Sequence, residues 1–217
     1  MILNIYKPKG ITSFGVVKII RKIISEKKVG HGGTLDPFAE GVLIVGTGKD
    51  TKKLKNITEN NKSYTASIKL GKTTDTLDPE GVVTKKKKIP KLNDAKINKI
   101  LNSFLGISMQ TPPMYSAKKI GGIKLYELAR KNIIIDREQT QINISDINLI
   151  NFNETRITFS VSCSKGTYIR VLGKEIAEKL GTVGYLDSLI RTRVGEYFID
   201  DSVSLDQFKL SWKSYAH

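Results

Sequence analysis

From Val29 to Leu43 the chain reads Val-Gly-His-Gly-Gly-Thr-Leu-Asp-Pro-Phe-Ala-Glu-Gly-Val-Leu, the stretch that most narrows what it can fold into. Gly30, Gly32 and Gly33 let the backbone take positive φ and approach a ligand closely. Pro37 pushes Asp36 out of the helical region into an extended conformation. A single carboxylate is therefore set on a stiff corner, between a flexible loop and the apolar run Val42-Leu43-Ile44-Val45. Two readings stand level on these residues alone. One is a tight turn between core elements with Asp36 as the turn former; the other is an active-site loop.

The elements around the corner mix without regular alternation. Residues 2–6 form a short strand, ended by Lys7-Pro8-Lys9-Gly10. Thr12 or Ser13 caps a helix whose apolar stripe is Phe14, Val17, Ile20 and Ile24, with Lys18, Arg21 and Lys22 off it. A short helix falls at 51–57, and residues 62–71 alternate as a strand with Tyr64, Ala66, Ile68 and Leu70 on one face. A polar loop (73–81) and a solvated, mobile lysine block (85–88) follow, then a helix from residue 92 with Gly106 as its cap. Residues 110–132 form a basic arm with a turn at Gly121-Gly122 and a helix at 125–130. Four consecutive strands are predicted at 133–135, 139–144, 146–152 and 156–163. A helix through Leu180, a strand at 188–195 and a closing helix at 202–210 complete the chain. The pattern predicts an α+β fold with one large mixed, mostly antiparallel sheet.

Charge and composition narrow the chemistry. The 217 residues carry a formal charge of +15, which predicts attraction to a polyanion. Arginine is scarcer than lysine, so the grouping of Arg170, Arg191 and Arg193 stands out, because the planar guanidinium suits phosphate and carboxylate. The histidines are His31 and His217, and Cys163 is the one cysteine, so no nitrogen–sulfur metal set can be assembled. A Ser-His-Asp triad would depend on His31, and no Gly-x-Ser-x-Gly elbow is present. Carboxylate chemistry remains: Asp36, with Arg170 as the best candidate cation and Tyr64 or Tyr168 as an aromatic that stacks on a flat substrate. With no signal-peptide run and no membrane span, the expectation is a soluble cytoplasmic protein.

Residues 30–43 resemble the signature of the tRNA pseudouridine-55 synthases, the TruB family. Other segments resemble that family in order: Lys7–Ser13, Lys62–Ala66 with Thr74–Thr76, Pro112–Lys118 through Leu125–Arg130 as its RNA-gripping thumb, Gly166–Leu172 and Leu189–Gly195. The resemblance implies the pseudouridine synthase fold over residues 1–200, with a thumb at about 110–132. Residues 201–217 are expected as a short tail, too short for the PUA-type domain common in bacterial members.

The implied reaction isomerises the uridine at position 55 in the tRNA T-loop, acting on the T-arm stem-loop with no cofactor or metal, as a monomer. Asp36 corresponds to the essential aspartate, which either attacks C1′ or takes the C2′ proton. Arg170 keeps it ionised and aimed, and Tyr64 stacks on the uracil. Tyr168 and Leu189 line the base pocket, His31 holds the displaced nucleotides, and Lys7, Lys118 and Arg191 bind RNA. Two rivals remain. A non-catalytic RNA-binding protein or RNA chaperone would use the same basic cleft without needing an acid in it. A nucleoside glycosidase would need a second carboxylate near the first, and Glu40 is the sequence neighbour available.

Overall fold

The computed structural model describes residues 1–131 and 133–215. Asn132, in the expected arm, and Ala216 and His217, in the expected tail, lie outside the described residues. In chain order the elements are β1 (Ile2–Lys7), α1 (Ser13–Ile24), β2 (Val29–Gly32), β3 (Glu40–Thr47), α2 (Leu54–Glu59), β4 (Lys62–Leu70), β5 (Lys72–Thr74) and β6 (Val83–Lys86). There follow α3 (Asp94–Asn102), β7 (Gly106–Gln110), β8 (Lys119–Ile120), β9 (Ile123–Lys124), α4 (Leu125–Ala129), β10 (Thr140–Phe152) and β11 (Arg156–Cys163). Last come α5 (Ile169–Lys179), β12 (Gly184–Val194), β13 (Tyr197–Phe198) and α6 (Leu205–Tyr215). The fold is α+β with a large mixed sheet, as the pattern predicted. The chain forms two compact units: residues 1–64 with 189–217, and residues 65–188.

In the first unit, β3 is the central strand. It pairs antiparallel with β1 and β2 and parallel with β12, through Glu40↔Ile190 and Gly41↔Arg191. Its apolar run buries both faces. Leu43 and Val45 join Ile5, Val16, Val17, Ile20, Val29 and Phe208, while Val42 and Ile44 join Leu54, Ile57 and Val194. Each such aliphatic contributes about 1.5–3 kcal/mol on burial. The closing helix α6 runs further than expected, and it packs on the first of these clusters through Phe208 and Trp212.

Two local expectations change. Residues 29–32 form β2 rather than an open loop, and their glycines serve close packing. A Cβ at Gly30 or Gly32 would meet Leu54 at 3.4 Å. In α1 the buried residues are Ser13, Val16, Val17 and Ile20, while Phe14 is 50 % exposed. Thr12 is the cap, accepting from Gly15 N; Ser13 is drawn inward, and the helix rotates Phe14 to the surface.

In the second unit the sheet order is β12-β4-β11-β10-β7. On β11, Ile157, Phe159, Val161 and Cys163 are buried in strict alternation. The two strands expected at 139–144 and 146–152 are one strand, β10, with register shifts at Ser145 and Ile150. The β-branched run 133–135 has no strand assignment. The Lys85–Lys88 block was expected to be mobile, but its first residues belong to exposed strand β6, paired with β5. Strand β7 escaped the pattern because its apolar residues face outward: Ile107 is 70 % and Met109 54 % exposed, while Gln110 is buried. Gly106 (φ 91) starts that strand and does not cap α3, which ends at Asn102.

Candidate active site

The corner that carries Asp36 begins at Gly33, the one glycine of the three with positive φ (88°). Each carbonyl from Gly33 to Pro37 has a donor. Arg191 Nη2 donates to Gly33 O at 3.2 Å, and Nη1 to Thr34 O at 3.4 Å. Ser13 Oγ donates to Leu35 O at 3.0 Å and accepts from Leu35 N at 2.9 Å. Ala39 N donates to Asp36 O. Gly10 N donates to Pro37 O at 2.9 Å, joined by Lys7 Nζ at 3.3 Å. A loop held at every carbonyl keeps a half-buried carboxylate in one place, which pre-organised chemistry requires.

The second end of the corner depends on Gly41 (φ 104). A Cβ there would lie 2.3 Å from Arg191 O, so the parallel contact of β3 with β12 admits glycine alone. Arg191 is fully buried, and its Nε donates to Val42 O at 2.7 Å. Burial lowers its pKa, and a hydrogen bond with Tyr64 works against that shift. Tyr64, near the start of β4, is buried. His31 on β2 is held below its usual pKa of 6.5 by burial, and then by the Arg191 charge. Leu189, on β12, is buried.

Two of the expected RNA contacts are therefore corrected. Lys7 and Arg191 do not reach the surface. Lys7 is fully buried and donates to Pro8 O and Ile11 O at 2.8 Å each, besides Pro37 O. A buried cation is tolerated only with such partners, and both residues spend donors on backbone carbonyls of the corner and of the segments beside it. Glu40 is likewise engaged: its carboxylate accepts from Tyr6 Oη at 2.8 Å and pairs with Lys9 at 3.2 Å.

In the second unit Arg170 is buried in the first turn of α5. Nη1 donates to Thr76 O and Nη2 to Tyr115 O, both at 2.7 Å, and buried Asp78 lies 3.5 Å away. Asp78 is fixed in turn by Thr76 Oγ1 at 2.5 Å and Glu80 N at 3.1 Å. Arg170 thus ties the 75–81 loop to the start of the 110–131 arm. Tyr168 caps α5 and is bracketed by the Gln110 amide, which accepts from its N at 2.8 Å and donates to its O at 3.2 Å. Lys118 Nζ donates to Thr140 Oγ1. In sequence Ser13 reads as a cap candidate alone, and Asp78 and Gln110 are not named as site residues. For Asp78 a signal existed, since Asp78-Pro79 repeats the Asp36-Pro37 corner.

A family profile described as TruB family pseudouridylate synthase (N terminal domain) matches residues 21–169. The chain belongs to the TruB family. It is 47 % identical over 205 residues to the tRNA pseudouridine synthase B of Clostridium tetani, covering 94 % of this chain and 71 % of that protein. Identity to the enzyme of the same name from Hydrogenovibrio crunogenus is 42 % over 214 residues, covering 99 % and 71 %. Among solved structures, a Cbf5-Nop10-Gar1 complex superposes with a TM-score of 0.76 at 28 % identity, over all of this TruB-family chain and 56 % of the other. An H/ACA RNP bound to a substrate RNA containing 2′-deoxyuridine gives 0.72 at 25 % identity, over 100 % and 55 %. Among the described residues no helix is long and apolar enough to cross a membrane, and no group of side chains could hold a metal ion.

Proposed function

We propose that this chain isomerises uridine to pseudouridine at position 55 in the T-loop of tRNA. The observation that carries the proposal is similarity along nearly the whole chain to relatives named tRNA pseudouridine synthase B, with Asp36 on a corner held at every carbonyl. The N1–C1′ bond breaks, the bound base rotates, and a C5–C1′ bond forms. The C5 proton leaves and N1 gains one, so the atoms balance without an external reactant. Asp36 acts on the ribose, by attack at C1′ or by taking the C2′ proton. Tyr64 stacks on the uracil, where the C5 proton must leave, and Tyr168 and Leu189 line the base pocket. Arg170 aims Asp36. His31 holds the displaced nucleotides and Lys118 contacts RNA. Residues 1–200 carry the catalysis, as a cytoplasmic monomer gripping the T-arm.

Extruding the base costs a few kcal/mol, and a net charge of +15 is a ready source of offsetting phosphate attraction. The test is a T-arm transcript carrying tritium at C5 of the target uridine. Wild type should release the label and leave pseudouridine. Asp36→Ala should bind the same RNA with affinity within about threefold and convert none of it. Turnover by Asp36→Ala at the wild-type rate would overturn the mechanism. Binding without conversion by wild type would make the protein an RNA binder.

A further inference from the structure

The outer face of α1 combines three features that the corner chemistry leaves unused. Phe14 is half exposed, although it sits where an apolar helix face was expected. Lys18 Nζ lies 5.3 Å and Arg21 Cζ 5.6 Å from its ring centroid. Beyond it an open concavity of about 430 Å³ is lined by Lys18, Arg21, Lys22, Ser25, Glu26 and Lys27. The acid there is Glu26, whose Oε1 already accepts from Lys28 N. The remaining charge on this face is positive.

This face is also tied to the catalytic corner. Phe14 follows Ser13, which holds Leu35 N and O, and Leu35 precedes Asp36. Lys18 and Lys22 stand one turn apart, about 6 Å along the axis, so both can engage the backbone of one strand. An exposed ring takes a base by stacking, whatever its identity. Cations in a row beside it suit phosphates. A protein partner would need an acidic surface with a slot for the ring. An RNA supplies the charge and the flat face together.

We infer that the outer face of α1 is a second RNA contact, with Phe14 stacking on an unpaired base and Lys18 and Lys22 engaging the adjoining phosphates. The inference rests on the proposed RNA substrate, and it adds a surface outside the pocket where the base reacts. Arg21 is divided between the ring and Val29 O, to which its Nη2 donates at 2.8 Å, so it serves the fold as well. The two exposed lysines and the ring are the separable parts.

The test compares Phe14→Ala, Phe14→Trp and Lys18→Ala/Lys22→Ala with wild type, using an unmodified tRNA transcript. Lys99→Ala, at an exposed position on α3, is the control. Phe14→Ala should weaken binding by about 5- to 20-fold, and Phe14→Trp should restore it. The double lysine variant should weaken binding by about tenfold and flatten the slope of log affinity against log salt by about 1–2. The control should match wild type in both. Thermal unfolding midpoints should be unchanged throughout, separating lost contact from lost fold. Unchanged affinity and slope in both Phe14→Ala and the lysine variant would overturn the inference. Equal losses in Phe14→Trp and Phe14→Ala would overturn the stacking role. A wild type that binds through this face yet forms no pseudouridine would remove the proposed reaction and leave the RNA contact standing.

Discussion

At the scale of single residues, Arg170 and Arg191 use the same chemistry for different ends. Each guanidinium is buried and bridges backbone carbonyls, two at Arg170 and three at Arg191, a task for a planar fork with several donors. A lysine offers one compact ammonium in its place. Arg170→Lys should therefore release either the 75–81 loop or Tyr115 and misplace whatever the guanidinium aims. We expect kcat to fall by about 100-fold or more, with KM within about threefold, in single-turnover and steady-state assays. Equal losses in both would mark Arg170 as a ground-state RNA contact.

His31 gives a pH signature at the same scale. Its imidazole is held below 6.5 in the folded state by burial and by Arg191, so protonation favours the unfolded chain. This contribution to stability is complete above the unfolded value of 6.5 and is lost as pH falls through and below it. Urea midpoints measured from about pH 8 down to about pH 5 should decline in wild type, with the part due to this residue absent from His31→Gln. Superimposable profiles would show that His31 does not couple folding to pH.

At the scale of elements, the parallel contact between β3 and β12 is the least forgiving joint. Gly41 combines a positive φ with a backbone carbonyl where its Cβ would stand. Gly41→Ala should destabilise by about 3 kcal/mol or more, lowering Tm by about 6–12 °C. A shift of under about 1 °C would mean that the two strands part easily. Elements were legible in sequence where burial alternated or ran continuously, as on β3, β4 and β11. They were not legible where neighbours reversed the pattern. Strand β7 turns Ile107 and Met109 outward, β10 absorbs Ser145 and Ile150 as bulges, and β2 is a short strand half of which is glycine.

At the scale of the whole molecule, the charge of +15 includes cations that meet little or no solvent. Lys7, Lys62, Arg170 and Arg191 are buried and hold backbone carbonyls. RNA affinity should still fall steeply with salt, because most of the remaining lysines are exposed. A flat salt response in filter binding would show that the excess charge plays no part in RNA attraction. Composition thus predicted a polyanion partner but not which cations serve it. The candidate site residues were named from motifs, while which of them are buried in the fold needed coordinates. Lys7 and Arg191 look alike in sequence to surface contacts, and only their burial separates the two roles.

The Asp36 corner, bonded at each carbonyl from Gly33 to Pro37, has a kinetic consequence. Its backbone loses most of its conformational freedom when the chain folds, so little is left to lose when a nucleotide arrives. The Leu35 and Ala39 amides, bonded to Ser13 Oγ and Asp36 O in buried residues, are then shielded from solvent. They should exchange their hydrogens only when this part of the protein opens as a whole, as slowly as the amides of its central strand.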